Sequence, residues 1–86
     1  MEIVICSAVK TTNGIPIRGH RHGDCIRTIK QMGLKPSSSP NAQGFITSKN
    51  RFVMRQFARK LQEKAGIESM DPNGYTGDTL FSEDLY

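Results

Sequence analysis

Apolar positions along this chain fall into short groups whose spacing changes several times. Ile3-Val4-Ile5-Cys6 is an unbroken apolar run inside residues 2–10, and its β-branched content predicts a strand buried on both faces. Thr11-Thr12-Asn13-Gly14 follows. Asn-Gly between extended segments predicts a hairpin turn with positive φ at both residues. Ile15-Pro16-Ile17-Arg18 reads as the returning strand, short or at an edge because Pro16 has no N–H.

The period then becomes helical. Ile26, Ile29 and Met32 predict a buried stripe on a helix over 25–32, with Asp24 as N-cap and Gly33 just past its end. Arg27 and Lys30 face water or a ligand on that helix. Residues 34–43, with two prolines and three serines, read as a loop. Residues 44–48 read as a strand, Lys49-Asn50 as a tight turn and 51–54 as its return. A second helix opens at Arg55 or Gln56 and runs to Ala65, with Phe57, Leu61, Ala65 and Ala58 as its apolar face and Gly66 as its stop. Turn formers fill 71–78, and Leu80-Phe81-Ser82-Glu83-Asp84-Leu85-Tyr86 predicts an end that docks onto something. The order strand-strand-helix-strand-strand-helix predicts one α+β domain over 1–86, a four-stranded antiparallel sheet with both helices on one face.

Charge divides the chain. The net charge is +4, yet all twelve Lys and Arg lie between Lys10 and Lys64, opposed there only by Asp24 and Glu63. From Ala65 onward there are five acids and no base. The basic body suits nucleic acid, nucleotides or other phosphates, and an acidic tail folded back would neutralise part of it. Only Cys6 and Cys25 are present, so no disulfide framework is expected. Met1–Ile5 is too short and wrongly flanked for a signal peptide, and no apolar run approaches the roughly 20 residues of a membrane span. These features predict a cytoplasmic protein with reduced thiols that does not enter a membrane.

Candidate chemistry concentrates in Arg18-Gly19-His20-Arg21-His22-Gly23-Asp24-Cys25, at the start of the first helix. His20, His22 and Cys25 are metal-ligating types, but a fourth ligand at defined spacing is missing, so no metal is assigned. Cys25 lacks the partners of a nucleophile and reads as a small, half-buried residue. His20 and His22, two apart on an extended segment, share a face, which suits ligand contact better than opposed acid and base. The favoured chemistry is therefore anion binding without catalysis or cofactor. Arg18 and Arg21 flank one helix start, Arg51 and Arg55 another, and guanidinium groups bind phosphate bidentately. Phe45 or Phe52 beside the second pair is placed to stack a base, the other being core.

Three segments carry a resemblance: G-H-R-H-G-D-C-I from Gly19, Q-G-F-I-T-S-K-N-R-F-V-M-R from Gln43, and L-F-S-E-D-L-Y from Leu80. Together they resemble the first type of Thoeris anti-defence protein, a family of small phage proteins, over Ile3–Tyr86 and least in the loop 34–43. The chain is shorter than those members and matches only part of their Arg/His pattern. The resemblance implies a sponge rather than an enzyme, sequestering cyclic ADP-ribose isomers or cyclic oligonucleotides at sites between the subunits of a homo-oligomer. Carried over by position, it implies phosphate contacts from Arg18, Arg21 and Arg51 or Arg55. Base or ribose contacts fall to Phe45, Thr47, Ser48 and the C-terminal segment. A small basic nucleic-acid-binding protein is the rival expectation.

Overall fold

Two turns with the same local chemistry lay out the sheet. The computed structural model describes residues 1–75 and 77–85; the expected turn position at Thr76 and docking of Tyr86 lie outside the described residues. Strand β1 (Val4–Lys10) returns as β2 (Pro16–Gly19) through Thr11–Gly14. The Thr11 carbonyl accepts the Gly14 N–H at 2.9 Å, and the Thr11 hydroxyl accepts the Asn13 and Ile15 N–H groups at 3.3 Å. Gly14 alone supplies the left-handed residue (φ 80°), so this hairpin needs one positive φ where the Asn-Gly pattern predicts two. The turn from β3 (Gln43–Thr47) to β4 (Phe52–Met54) repeats the design. Thr47 O accepts Asn50 N–H at 2.8 Å, its hydroxyl accepts Lys49 N–H at 3.2 Å, and Asn50 is left-handed at φ 60°.

The four strands form one antiparallel sheet in the order β2-β1-β3-β4. Pro16 opens an edge strand, as its missing N–H requires. β1 is central and is buried on both faces at Ser7, Ala8 and Val9, but not along its whole length. A register shift between Val4 and Cys6 turns Ile5 outward, leaving it 54% exposed.

Helices α1 (His22–Gln31) and α2 (Arg55–Lys64) cover one face, completing the α+β architecture the pattern predicts. Cys25 and Ile29 of α1 pack with Val9 and Ile17, while Ala58 and Leu61 of α2 pack with Val4, Phe45 and Val53. Alternation puts Val9, Phe45 and Val53 on the same side of the sheet, because Ser7 pairs with Phe45 and Phe45 with Val53.

Helix boundaries and faces differ from expectation in instructive ways. α1 starts at His22, so Asp24 is its third residue and not its cap; the Asp24 carboxylate accepts the Arg21 N–H at 3.2 Å. Met32 lies past the last turn, 54% exposed, and Cys25 takes its expected place in the core, fully buried and not half-buried. In α2 the buried residues are Ala58 and Gln62, with Leu61 packed beside them, and Phe57 is 42% exposed. β4 runs into α2 with no linker, so the strand sets the rotation of the helix and points Ala58 inward. Buried Gln62 is satisfied because its Oε1 accepts the Val4 N–H at 3.0 Å.

The C-terminal segment docks onto its own chain. Leu80 is fully buried against the Phe45–Ala58 cluster, with Tyr75 and Leu85 packed around it. Its N–H bonds Arg55 O at 3.2 Å, and Asp84 ties the end together by accepting from Ser69 Oγ at 2.5 Å and Phe81 N–H at 2.9 Å. Leu80 and Leu85 are therefore spent inside the fold and do not form an exposed apolar end.

Candidate functional site at the start of the first helix

Gly19 ends β2 directly against α1. A Cβ there would lie 2.8 Å from Cys25 Sγ and 3.1 Å from Cys25 N, so only glycine lets strand and helix approach this closely. The chain turns through His20 and reaches Arg21, the extended N-cap residue (φ −125°, ψ 163°). The C-terminal turn and the first residue of α2 come up to the same place. Together they enclose a cavity of about 400 Å³ lined by Arg21, His22, Gly23, Asp24, Arg27, Arg55, Phe81, Ser82 and Glu83.

Three guanidinium groups meet there. Arg55 donates to Gln43 Oε1 at 2.7 Å, stands 3.4 Å from His22 Nδ1, and lies 5.4 Å from the centre of the Phe81 ring. Its buried Nε has no hydrogen-bond partner among the described residues. Burial lowers the Arg55 pKa, with Glu83 opposing that shift, but a guanidinium keeps its charge at neutral pH. Arg21 lies 3.4 Å from Glu83, and Arg27 donates to Asp24 Oδ1 at 3.1 Å. Two of these three cations thus face carboxylates at the cavity, and the third is held by neutral groups.

His22 is structural as well as cavity-lining. It is 7% exposed, its Nε2 lies 2.8 Å from the Gly44 carbonyl, and its ring meets Phe45 edge-on at 5.0 Å. Burial pushes its pKa down, and Arg55 adds to that against the opposing pull of the Gly44 carbonyl and Glu83.

Of the nine residues that the sequence and the resemblance nominate, Arg21, His22 and Arg55 line this cavity. His20 is exposed while His22 is buried, so the two histidines do not share a face; the helix begins between them. Arg18 is exposed on β2, bonded to Asn50. Phe45 is fully buried beneath the helices, closed to any stacked base, and Thr47 is 1% exposed. Ser48 is exposed and accepts the Ile3 N–H at 3.0 Å. Arg51 makes a two-pronged ion pair with Glu2, both contacts at 2.6 Å, and the Thr47 hydroxyl donates to the same carboxylate. That pairing holds the Glu2 pKa down at about 2.

Gln43 joins the site without any signal in its own neighbourhood of sequence, while Phe81 and Glu83 come from the C-terminal segment that the resemblance nominates as a whole without singling them out. Burial raises both thiols, Cys25 to about 11, which opposes a reactive thiolate. Among the described residues, no three His, Cys, Asp or Glu side chains gather closely enough to hold a metal ion.

A family model described as Phage T4 y16D protein matches residues 3–86. The chain belongs to this phage protein family. Comparison with curated proteins and with solved structures returns no match. The match spans both helix starts and the C-terminal turn, so every residue lining the cavity falls within the family's extent. Among the described residues no helix is long and apolar enough to cross a membrane.

Proposed function

We propose that this phage protein binds and sequesters a small cyclic nucleotide signal, a cyclic ADP-ribose isomer or a cyclic oligonucleotide, without turning it over. One observation carries the reading: Arg21 at the cap of α1, Arg27 within α1 and Arg55 at the start of α2 converge on a cavity at the start of α1. The first-turn N–H groups of a helix have no acceptor within the helix and suit a phosphate, which guanidinium groups grip bidentately. A volume of about 400 Å³ lies in the ordinary range for small-molecule sites. Phe81 beside Arg55 offers an apolar wall for a purine. Glu83 holds Arg21 until a phosphate replaces it, so the acidic tail acts as a counter-anion for the site. The raised thiols favour capture over chemistry. The reading includes the homo-oligomer that the resemblance implies, in the host cytoplasm; exposed Ile5, Ile15 and Phe57 are apolar side chains that a second copy can cover.

The test is retention. The protein is incubated with a panel of cyclic ADP-ribose isomers and cyclic oligonucleotides, desalted and denatured, and the released compound is identified by chromatography and mass. One ligand should come back unmodified from the wild type and be lost from Arg55→Ala. Retention of nothing, or return of a cleaved product, refutes the reading.

A further inference from the structure

The sheet has a second face on which neither helix packs. Alternation places Ala8 and Lys10 of β1, Arg18 of β2, Ile46 of β3 and Phe52 of β4 on it. Ala8 and Ile46 are nevertheless buried, at 0% and 3% exposure. Long side chains of the sheet itself lie across this face. Arg18 starts on β2 and bonds Asn50 in the β3–β4 turn, so its stem crosses β1. The Phe52 ring occupies the space over Gly44: a Cβ at Gly44 would come within 2.6 Å of Phe52 Cζ. A glycine in mid-strand thus lets an aromatic ring rest on bare backbone. Above that ring stands the Lys10 ammonium, 4.6 Å from its centre.

We propose that this face binds single-stranded nucleic acid, with a base stacked on Phe52 in place of the Lys10 ammonium and Lys10 and Arg18 on the flanking phosphates. The charge pattern selects this occupant. None of the residues that alternation places on this face is acidic, while acids of the chain are engaged on the helical side or the tail, as with Glu2 on Thr47 and Arg51, Asp24 on α1, and Glu83 on Arg21. Two copies pressed together through this face would set Lys10 and Arg18 against their own like charges; a polyanion relieves that charge instead. An open sheet with an aromatic ring and flanking cations suits unpaired bases, whose π faces are accessible, and not a closed duplex. Lys10 and Phe52 are both half-buried. A base stacked on this ring replaces the ammonium–ring contact with one of similar or greater strength, and the displaced Lys10 becomes free to reach a phosphate. This proposal uses none of the residues around the α1 cavity and stands independently of the sponge reading.

The test is fluorescence anisotropy with labelled oligothymidylate and oligouridylate of about ten nucleotides, against a duplex of the same length. Salt is varied between about 0.05 and 0.2 M. The wild type should bind either single strand in preference to duplex, the better of the two showing whether DNA or RNA is favoured. Phe52→Leu should weaken binding roughly five- to a hundredfold while keeping the salt slope. Lys10→Gln and Arg18→Gln should each reduce the slope of log affinity against log salt by about 0.7. Neither Lys10 nor Arg18 belongs to the buried core, so these two substitutions decide the matter even where Phe52→Leu lowers the melting temperature. Failure of the wild type to bind single strands, a preference for duplex, or salt slopes unchanged by both charge substitutions overturns the proposal. A drop in assembly mass for Phe52→Leu by light scattering also overturns it, by making this face a contact between copies. Cyclic nucleotide retention should be unchanged in Lys10→Gln and Arg18→Gln, which separates this face from the α1 cavity.

Discussion

His22 Nε2 donates to the carbonyl of Gly44 at 2.8 Å, tying the first residue of α1 to a central strand. Because a carbonyl only accepts, the proton sits on Nε2 and the Nδ1 lone pair faces Arg55. A second proton on this ring would point at a guanidinium inside a buried site. The His22 pKa is accordingly lowered from its ordinary 6.5, first by burial. The unfolded chain then binds this proton more readily than the folded one, so its contribution to stability is complete above 6.5 and is lost as pH falls toward the lowered folded value. Urea midpoints of the wild type should decline with pH in that window, and the His22 ring resonances should titrate below 6.5. His22→Ala should cost about 1–3 kcal/mol at neutral pH, by removing the hydrogen bond to the Gly44 carbonyl, and should remove this pH dependence.

Arg55 and Arg51 sit four residues apart yet have separate tasks, one at the cavity and one on Glu2. A hydrogen bond to a charged group contributes roughly 1.5–3 kcal/mol. Arg55→Ala should therefore weaken ligand binding about ten- to a hundredfold. Arg51→Ala should leave affinity nearly unchanged. Calorimetry with a cyclic ADP-ribose isomer distinguishes them; equal losses at both would show that charge, and not position, governs binding.

Acid should expose the Arg51 task. The Glu2 carboxyl is held at about 2 against an ordinary 4.5, chiefly by its hydrogen bonds to Arg51 and Thr47. A depressed carboxylate stabilises the fold fully above 4.5 and loses that effect as pH falls toward 2. The wild-type denaturation midpoint should drop across this window, and Arg51→Gln should flatten the drop while lowering the plateau above it.

Glu83 competes for Arg21 with any phosphate that enters the cavity. The pair is partly solvent-exposed, so its removal is a small effect of about 0.2–1 kcal/mol. Glu83→Gln should raise ligand affinity by about two- to fivefold in calorimetry, most at low salt. A decrease would mean that Glu83 contacts the ligand directly.

Leu80 is the anchor of the C-terminal segment. Truncating a fully buried leucine leaves a cavity beside Phe45 and Ala58, at a cost of about 2–5 kcal/mol. Leu80→Ala should lower the melting temperature strongly, whereas Met70→Ala, at a residue 66% exposed, should change it little.

Much of this arrangement was legible in local chemistry. Pro16 without an N–H belongs at an edge, Gly33 and Gly66 take the positive φ that ends a helix, and the change from period two to helical spacing marks α1. The concentration of functional groups at the start of α1 was equally plain, and the cavity is there. These features depend on a residue and its near neighbours, which is what a linear pattern records.

Partnership across the fold was decided only by tertiary structure. Arg51 and Arg55 look equivalent in sequence; Glu2, 49 residues from Arg51, claims one, and Gln43 and His22 hold the other at the cavity. Phe57 looks like core by type, but the direct passage from β4 into α2 rotates Ala58 and Gln62 inward in its place. Periodicity says that one side of a helix is apolar on average. Which residue faces inward is set by the strand that leads into it, and which cation stays available to a ligand is set by the carboxylate that folding brings beside it.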